Sequence, residues 1–223
     1  MIVTSDLSFA TLWLVPRLGA FATLHPEIDL VLDPSHRLVD FAKEDVDLGI
    51  RYGNGEWLGV DAKKIVDAEL SLVCSPAFLA AHPLSTPADL DGTLLLQETA
   101  KECWKAWLDA AGILDHVVPS GPTLNGDLAI AAAEAGQGFA LADQIQVGDA
   151  LIAKRLVRPF EITTSRRAYY LVHGTGKKLS DAAVAFESWL FNELDVCNER
   201  KSAFFAAAAK SARKARKTAA VGR

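Results

Sequence analysis

The feature that most constrains this chain is a repeated alternation of short runs typical of β-strands with patterns typical of helices. Three strand-like runs come first: MIVTS (1–5), IDLVLD (28–33) and VDLGIRYG (46–53). A helical pattern from about Phe9 separates the first two runs and ends at His25-Pro26, and a short helix at about 38–43 precedes the third. This β-α-β-α-β order predicts an α/β fold whose sheet is parallel, with right-handed crossovers.

The rest of the body repeats the alternation. AELSLVCS (68–75) and RAYYLVHGT (167–175) are long strand-like crossings, and a second set of strands and helices lies between them. Its predicted strands are TLLLQ (93–97), PTLN (122–125), GFALA (138–142) and LVRPF (156–160), and its predicted helices start near Ala77, Glu102, Asp127 and Asp149, with a last helix at 181–194. Two α/β sets joined by two crossings predict two lobes with a cleft between them.

Composition places the chain among soluble globular proteins. Half of its 223 residues are hydrophobic and 23% are charged, which predicts a sizeable core. No stretch approaches the roughly 18 uninterrupted apolar residues of a membrane helix, and the start MIVTSD lacks the basic region of a signal peptide. Three widely spaced cysteines, Cys74, Cys103 and Cys197, favour reduced thiols. We therefore expect a cytoplasmic protein.

The net charge of −5 hides an asymmetry between the body and the C-terminal tail. From Arg200 onward the chain has eight basic residues and no acidic one, whereas residues 1–199 sum to −13. The acidic body would repel DNA phosphates, but the tail could contact nucleic acid without sequence preference. A solvated, disordered extension over 196–223 is the simpler expectation, and its alanines could become helical on contact with a polyanion.

Motifs of common enzyme classes are absent from the sequence. It contains no GxSxG, HExxH, GxGxxG or GxxxxGK[ST], and its five histidines are scattered. We therefore predict no catalytic residue, no metal site and no cofactor.

Candidate binding residues lie where predicted strands end and helices begin. Doubly wound folds bind ligands beyond the carboxyl ends of their strands, where helix N-termini offer unpaired N–H groups. Because Ser, Asp and Asn are also the usual helix caps, each candidate could instead serve only as a cap. The three junctions contain Ser5, Asp6 and Ser8, then Ser35 and His36, then Asn125, Gly126 and Asp127.

Three further candidates lie at strand ends. Arg51 and Tyr52 end the third strand just before a glycine-rich stretch, and Gln97 ends TLLLQ. An arginine there could bind a carboxylate ligand through two parallel hydrogen bonds, or form a structural ion pair with a nearby acid. Gln97 could supply an amide contact. Cys74, at the end of a crossing, could sense redox state, but a buried small hydrophobic residue is the simpler interpretation.

Seven blocks, in order, resemble the effector-binding domain of LysR-type transcriptional regulators, and within that family the subgroup of glycine-cleavage activators. Together they cover about residues 1–195. The blocks are SFATLWLVPRLGAFATLHPEIDLVL (8–32), VDFAKEDVDLGIRYGNGEW (39–57), LSLVCSPAFLAAHPL (70–84), WKAWLDAAG (104–112), AAAEAGQGFALA (131–142), LVRPFE (156–161), and AYYLV with FESWLFNEL (168–172 and 186–194).

The resemblance implies a fold of the periplasmic-binding-protein type II kind, in which two Rossmann-like lobes hold a small-molecule effector in the cleft between them. Lobe I would comprise residues 1–74 and 168–195, lobe II would comprise residues 75–167, and the hinges would lie at 70–74 and 165–168. Members of the family pair their lobes side by side, which implies a homodimer or homotetramer. Complete members begin with a winged helix-turn-helix and a linker helix, whereas this sequence starts at the first strand of the sensor. We therefore expect either a truncated form or a protein without that module, with DNA contacted only through the missing domain.

The resulting hypothesis is the effector-sensing domain of a transcriptional regulator. Its effector would be a small polar molecule, and an anion is favoured by Arg51 and the helix N-termini. Two alternatives have the same architecture. A solute-binding protein for transport would carry an export signal or a lipoprotein cysteine, and a cleft enzyme would need acid-base or nucleophilic residues that the sequence does not reveal.

Overall fold

The computed structural model describes residues 1–35, 37–98 and 101–221. Strand β1 (Ile2–Ser5) leads into one helical segment that changes pitch along its length. The segment starts as helix α1 (Leu7–Phe9), continues as a π-helix (Ala10–Leu14) and a 3-10 helix (Val15–Arg17), and ends as helix α2 (Leu18–Leu24). Pro16 lies in the 3-10 turn, where its missing N–H and its ring disturb regular α-helical bonding.

The remaining elements follow the predicted alternation. Strands β2 (Val31–Pro34) and β3 (Leu48–Gly53) complete the first strand set. The elements after them are β4 (Val60–Val73), α3 (Pro76–Ala81), 3-10 turns at Pro87–Asp89 and Gly92–Leu94, β5 (Gln97–Glu98), α4 (Lys101–Ala110), β6 (Thr123–Leu124), α5 (Gly126–Glu134), β7 (Ala140–Asp143), α6 (Gln144–Ile152), β8 (Thr163–Gly174) and α7 (Asp181–Val221).

One six-stranded sheet, in the order β2-β1-β3-β8-β4-β7, organises the described residues. Strand β1 pairs in parallel with both β2 and β3, as the β-α-β-α-β pattern predicts. Strand β8 runs antiparallel to β3 and β4, and β7 runs antiparallel to the far end of β4. A separate two-stranded sheet joins β5 to β6 in parallel.

The crossing strands β4 and β8 connect the first strand set with the second set, which comprises β5–β7 and α3–α6. They pair from Val60 opposite Gly174 to Ser71 opposite Thr163, with register shifts at residues 64–66 and 67–69 of β4. Strand β4 starts eight residues earlier than predicted. The extra residues include the charged pair Lys63-Lys64, which interrupts the apolar run by which a strand is predicted from sequence.

The second set packs around its own hydrophobic core. Trp104 and Trp107 of α4 lie there with edge-to-face rings 6.4 Å apart. Each indole N–H finds a backbone carbonyl, that of Trp104 at Leu96 (2.9 Å) and that of Trp107 at Ile162 (3.1 Å). Buried indoles therefore fix α4 against the chain before β5 and the start of β8 without leaving a donor unsatisfied.

The short helix predicted at about 38–43 is wrong, because the structure has a hydrogen-bonded turn over 41–43 instead. Acidic side chains account for the difference. The Asp40 carboxylate accepts from the backbone N–H of Ala42, and the Glu44 carboxylate accepts from the backbone N–H of Asp40. Glu44 also pairs with Arg37. Local side-chain acceptors satisfy N–H groups in a turn and so compete with helix formation.

Several boundaries in the second set also differ from the sequence prediction. Helix α6 begins at Gln144 rather than Asp149, and α5 begins at Gly126 rather than Asp127. In TLLLQ, Thr93 and Leu94 belong to a 3-10 turn, Leu95 forms a single bridge with Phe139, and only Gln97 lies in a strand. LVRPF contributes a single bridge between Val157 and Cys74. These runs are short and apolar, and periodicity alone cannot separate strand from buried turn in such runs.

Residues 1–184 and 185–223 form two compact units, and the second consists of α7 from Ala185 onward. In this second unit the rings of Phe186 and Trp189 lie 5.5 Å apart. The backbone of α7 is helical through Val221, so the disordered extension expected over 196–223 does not appear in its described part. Nine alanines among residues 203–220 explain this, because alanine is the strongest helix former.

By length and composition, one described helical segment, Leu7–Leu24, could cross a membrane. A helix packed into a protein core passes the same test. Phe9, Trp13 and Phe21 of this segment are buried within the fold, and the buried Arg17 is ion-paired with Asp149. These contacts are those of a core helix.

Candidate functional site

The first candidate junction lies where β1 meets α1. Asp6 is the N-cap of the helical segment, since its Oδ1 accepts from the backbone N–H of Phe9 at 3.0 Å. Ser5 is fully buried, and its hydroxyl donates to the Asp6 carbonyl at 3.0 Å. Ser8 is half-buried in the first turn. Asp6 therefore performs the capping role, and the solvent-accessible surface at this junction belongs to Asp6 and Ser8 rather than Ser5.

Arg51 bridges two strands and the loop after β2. Its Nη2 donates to the Thr4 hydroxyl at 2.8 Å, and its Nη1 donates to the Ser35 carbonyl at 2.5 Å. Ser35 is fixed in turn, because its backbone N–H donates to the Ser5 carbonyl at 2.9 Å. The neighbouring candidate His36 lies outside the described residues.

The environment of Arg51 is that of a cation with neutral partners. Its side chain is 5% exposed, and no described carboxylate forms an ion pair with it, so the structural ion pair considered from the sequence does not form among those residues. Burial lowers the pKa of Arg51, and the more distant charges of Asp6 and Asp33 oppose this by raising it. Because a buried charge without a counter-ion is costly, such a position attracts an anion.

Tyr52, next to Arg51 on β3, belongs to an aromatic group at the middle of the sheet. Its ring lies 5.3 Å from that of Tyr169 on β8, and the guanidinium of Arg167 lies 5.6 Å from its centre. Tyr169 is buried, and its hydroxyl accepts from Nε2 of Gln146 on α6 at 2.7 Å. Burial raises the pKa of Tyr169 well above its usual value, and the charges of Asp143 and Asp6 add to the effect. The Tyr169 phenol is therefore neutral at physiological pH.

The second-set junction lies at the start of α5. Asn125 is the N-cap residue but makes no side-chain capping hydrogen bond, Gly126 opens the helix, and Asp127 lies in its first turn. Helix α5 contacts both α1 and β5. The structure thus brings the β1–α1 junction close to the helix that Asn125 begins. Gln97 is the first residue of β5, and its side chain lies outside the described part of the chain.

Two contacts of helix α6 were not among the predicted ones. Asp143 ends β7 and caps α6, where its Oδ1 accepts from the Ile145 N–H at 2.9 Å. Arg17 of the first set forms an ion pair with Asp149 of α6 at 2.7 Å. The strand-end rule would have selected Asp143, but the predicted start of that helix was five residues too late. No sequence pattern marks a pair 132 residues apart.

Cys74 fits the simpler of its two interpretations. It is fully buried in the second-set core, and burial raises its pKa to about 12. Only a thiolate is a good nucleophile, so a thiol with this pKa reacts poorly with oxidants near neutral pH.

These residues can bind and orient a small polar molecule. They offer a guanidinium, hydroxyls and carboxylates near the β1–α1 junction, and helix α5 contacts α1. Among the described residues, no three His, Cys, Asp or Glu side chains are grouped so that they could hold a metal ion.

Comparison with known proteins identifies the class. Residues 3–195 match the family described as the LysR substrate binding domain, and the chain belongs to that family. It is 36% identical over 187 residues to the HTH-type transcriptional activator AmpR of Rhodobacter capsulatus, and 38% identical over 188 residues to the glycine cleavage system transcriptional activator of Escherichia coli. These matches cover 83% and 82% of the chain, which spans 63% and 61% of the two relatives. Both relatives are transcriptional activators.

Solved structures agree on the fold. The chain is similar to the effector domain of the transcriptional regulator AmpR of Pseudomonas aeruginosa, with a TM-score of 0.74 and 31% sequence identity. The similarity covers 90% of this chain and 98% of that one. The fold is therefore that of LysR effector-binding domains, the periplasmic-binding-protein type II kind predicted from the sequence. The chain is the effector-binding domain of a LysR-type regulator.

Proposed function

We propose that this domain senses a small polar molecule, with an anionic group, in a cleft between lobe I (residues 1–74 and 168–195) and lobe II (residues 75–167). The observation that carries the proposal is Arg51, a nearly buried cation whose described partners are neutral oxygen atoms. A carboxylate or similar anion would supply the missing counter-charge. The proposed contact residues remain Ser5, Asp6, Ser8, Ser35, His36, Arg51, Tyr52, Gln97, Asn125, Gly126 and Asp127.

The contacts around Arg51 suggest how binding would be transmitted. Arg51 holds the Ser35 carbonyl, and Ser35 is bonded to Ser5 beside Asp6, so an anion at Arg51 would perturb the loop and the α1 cap together. Helix α1 contacts α5 of lobe II. An effector that binds one lobe arrangement more tightly than the other would shift the population between them, whereas equal affinity for both would change nothing.

In the whole protein we propose that this shift controls transcription through a DNA-binding domain, as the names of the relatives indicate for those proteins. Such a protein would act in the cytoplasm.

We also propose a homodimer. Three of the exposed large apolar residues, Val15, Leu24 and Val31, are 49% to 65% exposed and lie on the α1–α2 segment and the edge strand β2. Apolar side chains exposed on an edge strand and an adjoining helix are typical of a subunit contact. Leu24→Glu should then yield a monomer in light scattering, and an unchanged mass would refute this contact.

The effector proposal can be tested with a panel of small carboxylates, including amino acids and dicarboxylates, screened by thermal shift and followed by calorimetry of every compound that raises the melting temperature. Arg51→Lys retains the charge but loses the two-pronged geometry, and should weaken binding at least tenfold. Thr4→Val is the matched control, since it removes one hydrogen bond of Arg51 and leaves the guanidinium in place. If a carboxylate binds the folded Arg51→Lys protein as tightly as the wild type, Arg51 is not in the site. If no carboxylate raises the melting temperature, the anionic effector is refuted.

A further inference from the structure

The C-terminal part of α7 carries a feature that the family does not account for, because the family match ends at residue 195. Lys210, Arg213, Lys214 and Lys217 follow the spacing i, i+3, i+4, i+7 on a continuous helical backbone. At 3.6 residues per turn, these four positions fall within about 100° of arc on one face of the helix. We call these four residues the basic stripe.

Basic residues elsewhere in the chain repeatedly come with acidic partners. Ion pairs join Arg17 to Asp149, Arg37 to Glu44, Lys43 to Asp40, Lys64 to Asp67, Arg155 to Glu134 and Arg158 to Glu161. By contrast, the sequence has no acidic residue after Glu199. Within the basic stripe, Lys210 and Lys214, and likewise Arg213 and Lys217, are like-charged neighbours at i, i+4. Such neighbours destabilise an isolated helix, so an anion on this face would stabilise it.

We propose that the basic stripe binds the phosphate backbone of double-stranded nucleic acid, independently of sequence. The stripe is about 10 Å long, at 1.5 Å per residue, and its four positions share one face of the helical backbone. Duplex DNA presents one negative charge for about every 1.7 Å of its axis, so several phosphates lie within the length of the stripe. In a regulator, this surface would add affinity to that of a sequence-reading domain without changing which site is read.

The acidic residues of α7 do not cancel this attraction. Glu199 is the last of them, and Lys210 lies eleven residues further along the helix, a distance of about 16 Å. This is about twice the Debye length at physiological ionic strength, so the repulsion between Glu199 and a phosphate at the stripe is largely screened.

A membrane surface fits the sequence less well than a nucleic acid does. Helices that bind membrane interfaces place large apolar residues such as Trp, Phe and Leu opposite their basic face. Between residues 206 and 220 the positions other than Lys and Arg are Ala, Ser or Thr. Alanine buries too little apolar surface to hold a helix in lipid.

The test measures binding of the full chain to a fluorescent 20-base-pair duplex of arbitrary sequence, by anisotropy between 50 and 200 mM KCl. One variant carries Lys210→Gln, Arg213→Gln, Lys214→Gln and Lys217→Gln. The matched variant carries Arg200→Gln, Lys201→Gln, Arg216→Gln and Arg223→Gln, which removes the same number of charges outside the stripe. We expect the stripe variant to bind the duplex at least tenfold more weakly than the wild type at 100 mM KCl. The slope of log K against log salt concentration should become less negative by about 3.6. The matched variant should lose much less affinity.

The helix itself gives a second readout. Thermal unfolding followed by circular dichroism at 222 nm should show that the duplex stabilises the helix of the wild type against melting, and that it does not stabilise the helix of the stripe variant. Equal losses of affinity in the two variants would show that charge number alone matters and overturn the stripe. Absence of duplex binding by the wild type would overturn the proposal, as would tighter binding to phosphatidylserine vesicles than to DNA.

Discussion

Arg17 donates from Nη2 to Oδ2 of Asp149 across 2.7 Å, and this contact ties the helical segment after β1 to helix α6 of the second set. The rest of the guanidinium is held by its own segment. Nη1 donates to the Trp13 carbonyl at 2.8 Å, and the Trp13 ring centre lies 4.8 Å from the guanidinium carbon. The cation is therefore fixed before it reaches Asp149, so little side-chain entropy is lost in making the pair.

Asp149→Asn should destabilise the protein by about 1 kcal/mol, because Asp149 is 43% exposed and solvent screens the attraction. In a domain of this size that corresponds to a fall in melting temperature of about 2–4 °C. Glu134→Gln is a suitable control, since it breaks the pair with Arg155 inside one set, where both side chains are partly exposed. If the two substitutions lower the melting temperature equally, the pair between Arg17 and Asp149 contributes no more to stability than the pair between Arg155 and Glu134.

Gly92→Ala should be among the most damaging single substitutions in the chain. A Cβ at this position would lie 2.0 Å from the carbonyl oxygen of Val118, and backbone atoms cannot rotate away as a side chain can. We expect a loss of about 3 kcal/mol or more in the free energy of unfolding, measured by urea denaturation. Gly19→Ala in α2 is the opposite case. No atom lies within 4 Å of its added Cβ, and the change should stabilise the helix by up to about 1 kcal/mol.

Cys74 should make stability decline at high pH. An unfolded cysteine loses its proton near pH 8.5, whereas burial raises the pKa of Cys74 to about 12 in the folded state. Between these values the folded chain binds more protons than the unfolded chain, so the free energy of unfolding falls as pH rises, by about 1.4 kcal/mol per pH unit for this group. Below pH 8 the group has no effect. The free energy of unfolding of the wild type minus that of Cys74→Ala should therefore fall between pH 9 and 11, and a difference independent of pH would contradict the assignment.

Tyr169→Phe should loosen the contact between β8 and α6. It removes the acceptor of the hydrogen bond from Gln146 Nε2, which leaves an amide donor in a partly buried place. The expected loss is about 1–2 kcal/mol in the free energy of unfolding. Gln146→Leu combined with Tyr169→Phe removes both partners, so the double variant should lose less than the sum of the single losses. Strict additivity would show that this hydrogen bond contributes nothing.

The parts of the fold that the sequence predicts well are those in which a pattern repeats along one element. The parallel pairing of β1 with β2 and β3 follows from β-branched runs separated by a helix, and α4 follows from Trp104, Trp107 and Leu108 on one face. The full length of β4 could not be predicted, since Asp61, Lys63 and Lys64 lie in it at solvent-exposed positions. The boundary near Gln97 was misplaced because buried apolar runs of four or five residues do not distinguish strand from turn. The start of α6 was placed at Asp149 rather than at Gln144, directly after the capping residue Asp143.

The candidate site was predictable only where it follows the strand-end rule. Asp6, Arg51 and Asn125 are candidates by this rule. Strand β1, which Asp6 follows, pairs with the strand of Arg51, and α5, which Asn125 begins, contacts α1. The hydrogen-bond partners of the residues in this region were not predictable. Thr4 meets Arg51 across 47 residues of sequence, and Gln146 meets Tyr169 across 23. Contacts of this kind depend on which side chains adjacent strands bring together, and residue spacing in a single sequence does not contain that information.

The single sheet that includes β1, β8, β4 and β7 limits how the two sets of elements can move. Drawing them apart along the strands' hydrogen-bonding direction would break the backbone ladder between β4 and β7 over Leu70–Val73. Rotation about the long axes of β4 and β8 would keep those bonds and change only the coiling of the ribbon, which the two register shifts at residues 64–66 and 67–69 already accentuate. The two sets of elements can therefore twist relative to each other more readily than they can separate. A bound molecule would act on the domain by changing the twist of the β4–β8 ribbon.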